Sequence, residues 1–209
     1  MRRRRYLAAL GVTASLGLAG CRVAEQPTPT ETPTETERPP TTTPQPMRLQ
    51  NGSFEDGLDG WTVGKDLPED PNSDGLVETE ARPVNADDPD APAAADGDHA
   101  LSLYIDGRQD DGTLWVQQDV DLSEYDSLAL DVHSDSESFT VVTRVAAYAG
   151  PRTDLVEGTF DTTQAVENHE GWATYEYPVD HDGPGIVAVG ISVVWESEVT
   201  RYLDAVRLS

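Results

Sequence analysis

The chain has 209 residues, with 39 acidic side chains against 14 basic ones and a formal net charge of -25. Its single lysine is Lys65, and every other base is arginine. Such a charge repels phosphate backbones and anionic headgroups, which argues against nucleic acid and a bare anionic bilayer as partners. The length suits one domain with extras.

The first element is "MRRRRYLAALGVTASLGLAGC". Arg2 to Arg5 form a basic start, and an apolar run follows from Tyr6 to Ala19. That run is shorter than the roughly 20 residues a spanning helix needs, so residues 1–20 read as an export signal. Arg3-Arg4-Arg5-Tyr6-Leu7 resembles a twin-arginine signal, and Leu18-Ala19-Gly20-Cys21 resembles the lipobox of secreted lipoproteins. The resemblance implies lipidation of Cys21, the only cysteine of the chain. It also implies a protein held at the outer face of the cytoplasmic membrane by its lipid alone.

Residues 21–46 contain "RVAEQPTPTETPTETERPPTTTPQP", with too few apolar side chains to offset ordering entropy by burial. They read as a disordered, semi-rigid stalk, either bearing O-linked sugars or bare.

From Met47 to Ser209 the periodicity is that of strands. In "ALSLYID", Leu101, Leu103 and Ile105 alternate with Ser102 and Tyr104. In "TLWVQQDVDL", Leu114, Val116, Gln118 and Val120 alternate with Trp115, Gln117 and Asp119. "SLALDVHS", "SFTVVTRVAAYAG" and "WATYEYPV" continue the pattern, with Tyr175 and Tyr177 opposite Trp172 and Thr174. "GIVAVGISVVW" is apolar almost throughout, as in a strand covered on both sides. Trp195 continues the face of Val189, Ile191 and Val193. The excursion from Lys65 to Asp98 is acidic and rich in proline and alanine, with one short strand near Leu76 to Val84. Eight or more antiparallel strands imply an all-β sandwich, jelly roll or barrel.

The opening "NGSFEDGLDGW" and the closing "YLDAVRLS" resemble the first and last strands of carbohydrate-binding modules with the galactose-binding-like jelly roll. "DGDHALSLY" and "LWVQQDVDLSEYDSLALDV" stand between them in the order of that fold's middle strands. The resemblance implies a jelly-roll β-sandwich over residues 47–209, with its first and last strands adjacent; within such a sandwich Trp61 is expected to pack at the edge. It also implies a structural calcium held by Glu55 and Asp204. The other reading of those two is that they are ordinary solvated acids.

A sugar site needs flat aromatic faces and planar polar side chains. With the leucines inward, Tyr104, Trp115 and Gln117 face outward, joined by Arg144 and Tyr148 if their strand shares the sheet. These five form the expected carbohydrate platform. The alternative has the Lys65–Asp98 excursion packed over Trp115 and Tyr104. For catalysis, His99, His133, His169 and His181 lack metal-ligand spacing, and no nucleophile elbow or phosphate loop occurs.

The expectation is a monomeric, non-catalytic surface lipoprotein that binds a polysaccharide or glycoconjugate. A surface domain that contacts another protein, without a sugar site, is the alternative. The acid-rich, lysine-poor composition resembles that of proteins from extreme halophiles, since molar salt shortens electrostatic range to about 3 Å. An acidic protein from a moderate-salt cell is the other source.

Overall fold

The computed structural model describes residues 47–67, 78–85, 87–106, 111–134, 142–166, 169–194 and 198–209. The export signal, Cys21, the stalk and Trp195 lie outside the described residues.

Among the described residues, nine strands follow in chain order: β1 (Thr62–Asp66), β2 (Thr79–Asn85), β3 (His99–Ile105), β4 (Asp111–Asp121), β5 (Ser127–Ser134), β6 (Val142–Pro151), β7 (Gly171–Pro178), β8 (Pro184–Val194) and β9 (Val199–Leu208). They form a four-stranded sheet, β1-β4-β8-β6, and a five-stranded sheet, β2-β3-β9-β5-β7. Every pairing is antiparallel. The domain is therefore an all-β, jelly-roll sandwich.

Alternation decides what lies between the sheets. Leu114, Val116, Val187, Val189 and Ile191 of one sheet join Leu101, Leu103, Leu130, Val132 and Leu203 of the other in a single core. All are at most 1% exposed, so each contributes nearly its full transfer free energy. Gln118 falls at an inward position, and its amide is satisfied by both backbone groups of Gln50 at 3.0 Å. That pair, with the Asp121 N–H donated to the Met47 carbonyl at 2.7 Å, fastens the start of the domain to β4.

The opening motif is a knot of turns. Asn51, Phe54, Gly57 and Gly60 all have positive φ. The Asn51 amide donates to the carbonyls of Gly57 and Asp59, its side-chain oxygen accepts from the Asp56 N–H, and its own carbonyl accepts from the Trp61 indole. This delivers Phe54, fully buried, into the core against Trp61, with ring centroids 5.6 Å apart. Trp61 is thus a core residue, 7% exposed. Gly52 meets the last strand, where its carbonyl accepts from Val206 N–H at 2.9 Å. The adjacency of first and last elements comes from this turn, because β1 itself pairs with β4. A bulge in β9, with Ala205 at φ 50°, keeps both Leu203 and Val206 in the core.

Candidate functional site

The five expected sugar-binding residues are divided between the two sheets. Tyr104 lies on β3, opposite Glu80 and Thr200 in the five-stranded sheet. Trp115, Gln117, Arg144 and Tyr148 lie on β4 and β6 of the four-stranded sheet. Alternation assigns a residue to a face of its strand, but not a strand to a sheet, and β3 and β4 belong to different sheets.

The outer face of the four-stranded sheet is not an open platform. The segment after β6 folds back along that strand, with Ala147 and Asp161 exchanging both backbone hydrogen bonds. It lays Phe160 on Trp115, with ring centroids 5.0 Å apart, and leaves Trp115 only 3% exposed. Ala146, Ile186 and Ala188 complete this second small core, which explains why β8 is apolar on both faces. The remaining polar groups are also engaged. Trp115 donates to Gln117 at 2.7 Å, Arg144 to the Thr162 carbonyl at 2.9 Å, and Tyr148 to the Pro151 carbonyl at 2.6 Å. Burial raises the Tyr148 pKa. The expected platform is therefore corrected: Trp115 is a packing residue, covered by the segment after β6.

The excursion covers the other sheet. Residues 87–98, between β2 and β3, form a strap over the outer face of the five-stranded sheet. The Tyr202 hydroxyl donates to the Asp90 carbonyl and the Trp172 indole to the Ala93 carbonyl, each at 2.8 Å. Val84, Ala100 and Tyr202 pack beneath it with Ala91 and Trp172.

Beside the strap, strand register sets five side chains in one row, Arg82–Ser102–Tyr202–His133–Trp172, one from each strand. His133 meets Trp172 edge-on at 5.2 Å and Tyr202 at 6.1 Å. Tyr104 and Thr200 belong to the neighbouring row, so Tyr104 is the one expected sugar residue on this face. Trp172, His133 and Tyr104 are half-buried, whereas Tyr202 is nearly covered. Arg82 is held by Asp88 at 2.8 Å and Glu80 at 3.2 Å. Trp172, open from the sequence to either a core or a rim position, falls at the rim; Tyr202, His133 and Arg82 stand outside the expected sugar residues, although the alternation Thr200, Tyr202, Asp204 was available to place Tyr202 outward.

Glu55 and Asp204 both meet the turn that ends the strap. One Glu55 oxygen accepts from the N–H groups of Asp98 (2.7 Å) and His99 (2.9 Å), and the other lies 3.2 Å from His99 Nδ1. Asp204, fully buried, accepts from Ala95 and Asp96 N–H at 2.8 Å and from Ala205 N–H at 2.6 Å. The amides of His99 and Asp98 pull the Glu55 pKa down. Burial pushes Asp204 up to about 6, against the opposing pull of its own amides. Calcium requires six to eight oxygen ligands, whereas these carboxylates face the positive ends of five amide dipoles. The donor set does not fit the calcium that the resemblance implied. Among the described residues, no group of three or more His, Cys, Asp or Glu is placed to hold a metal ion.

A cleft of about 250 Å³ lies elsewhere, lined by Met47, Arg48, Asp121, Ser123, Glu124 and Tyr125. Its Asp121 carboxylate is occupied by the Ser123 hydroxyl and N–H, which lower its pKa.

Fold and face together define a jelly-roll sandwich with an aromatic row on its five-stranded sheet. Among solved structures, the chain is similar to a family 61 carbohydrate-binding module in complex with β-1,4-galactotriose (TM-score 0.49, 15% identity, 79% of this chain and 99% of that one). It is also similar to the family 11 carbohydrate-binding module of Clostridium thermocellum in complex with a β-1,3-1,4-mixed-linked tetrasaccharide (TM-score 0.42, 14% identity, 78% and 94%). A cleaved adhesin domain of Lys-gingipain from Porphyromonas gingivalis is a further neighbour (TM-score 0.45, 16% identity, 75% and 95%). No family model and no curated protein matches the sequence.

Proposed function

We propose that the protein is a lipid-anchored surface protein whose sandwich binds a polysaccharide, without catalysis, on the outer face of the five-stranded sheet. The aromatic row carries this reading. Adjacent strands lie about 4.8 Å apart, so the half-buried His133 and Trp172 offer neighbouring ring surfaces along a line perpendicular to the strands, backed by the covered ring of Tyr202. Such surfaces suit the C–H faces of consecutive sugar units. Thr200 and Arg82 supply hydroxyl and guanidinium partners for sugar hydroxyls. Cys21 anchors the chain through its lipid, and residues 21–46 hold the domain away from the membrane.

The alternative, a surface for a protein partner, is favoured by one observation: the polar atoms of Trp172 and Tyr202 already bond the strap. The two readings separate in a fluorescence titration of the full chain in molar salt. β-1,4-Galactotriose, the mixed-linked β-glucan tetrasaccharide and a panel of soluble polysaccharides serve as ligands. Saturable binding that is lost in Trp172→Ala and retained in Trp115→Phe supports the glycan groove. A flat response from folded protein refutes it and leaves the protein-partner reading.

A further inference from the structure

Residues 87–98 reach across the sheet with little apolar packing of their own: Ala91 is the strap's contribution to the small core beneath it. Ala93, Ala95 and Gly97 are exposed. What fixes the strap is polar. Tyr202 and Trp172 donate to carbonyls in its first part. Its terminal turn donates four backbone N–H groups to two carboxylates from distant parts of the chain, Ala95 and Asp96 to Asp204, and Asp98 and His99 to Glu55. Hydrogen bonds to an ionised acceptor are roughly twice as strong as neutral ones.

Gly97 sits at the centre of that turn with φ +79°, where a Cβ would collide with the Glu55 carboxylate. The turn is therefore shaped around the carboxylate, with glycine as the residue that permits the approach.

We infer that Glu55 and Asp204 are positioning residues for the glycan groove: through these four amides they dock the strap as one wall of the aromatic row, in a metal-free clamp. The inference rests on the glycan reading above. Its link to the groove is the Trp172 indole, whose bond to Ala93 forms only while the strap is docked. The clamp thereby sets both the height of the wall and the orientation of the Trp172 ring.

The test uses the full chain and two variants, Glu55→Gln and Gly97→Ala, each with and without Trp172→Phe so that difference spectra isolate Trp172 emission. Gly97→Ala disturbs the clamp from the surface and keeps the question open to experiment if Glu55→Gln fails to fold. The expected result is a red shift of Trp172 emission and easier acrylamide quenching in both variants. Affinity for β-1,4-galactotriose or the mixed-linked tetrasaccharide, whichever binds the unmodified protein, should fall at least about 10-fold (about 1.4 kcal/mol). Excess calcium and chelator should leave Trp172 emission and melting temperature of the unmodified protein unchanged. Variants that melt lower but keep Trp172 emission and affinity would reduce the clamp to a structural role and overturn the inference. A chelator-induced shift in the unmodified protein would overturn the metal-free clamp. If Trp172 emission shifts as expected but no sugar binds the unmodified protein, the glycan reading is at fault, and the positioning role falls with it.

Discussion

Truncating Trp115 separates a packing role from a sugar-contact role most sharply. The indole is 3% exposed, stacked by Phe160 and seated over Gly64, where any Cβ would strike the ring. A tryptophan buries roughly 200 Å², which at about 25 cal/mol per Å² is worth about 5 kcal/mol. Measured aromatic-to-alanine losses of about 3–5 kcal/mol agree. That is a large part of a typical domain stability of about 5–15 kcal/mol. At roughly 2–4 °C per kcal/mol for a domain of this size, Trp115→Ala should melt about 6–20 °C lower. The assay is thermal and urea unfolding in molar salt, followed by far-UV circular dichroism. A loss below about 1 kcal/mol, typical of an exposed surface change, would refute the burial of the ring and return Trp115 to the surface.

Two further outcomes follow from the same reasoning. Gln118→Ala removes both hydrogen bonds to the Gln50 backbone; at about 0.5–1.5 kcal/mol per bond, urea titration should show a loss of about 1–3 kcal/mol. Asp204 binds its proton more tightly folded (about 6) than at its ordinary value of 3.8, so its contribution to stability is greatest below pH 3.8 and declines as pH rises to 6. The decline is about 3 kcal/mol over the window, so Asp204→Asn should be more destabilising at pH 4 than at pH 7, and equal losses at both values would refute it.

The strands were legible because their periodicity is a local property. β3, β4, β5, β7 and β8 stand where alternation put them, and the unbroken apolar run of β8 signalled its double cover. What sequence could not supply was partnership between strands. Tyr104 and Trp115 share an outward parity but occupy different sheets, a fact fixed by the β3–β4 crossover and visible in no window of residues. The row Arg82–Ser102–Tyr202–His133–Trp172 draws on five separate segments and exists only through register. Glu55 and Asp204 were singled out by resemblance, and the structure brings both to the same turn. Their partners there are backbone amides, which every sequence contains and no motif records.

The place of β9 has a consequence for how the molecule comes into being. It is the latest strand in chain order, yet it lies at the middle of its sheet, between β3 and β5. Until it is made, β2–β3 and β5–β7 are two separate ribbons, each with an unpaired inner edge open to any passing strand. The sandwich must therefore close late, through contacts between residues as far apart as Gly52 and Val206, a pattern associated with folding in milliseconds to seconds. During that interval the heavy negative charge has a protective use at low salt, because it keeps one incomplete chain from lending its edges to another.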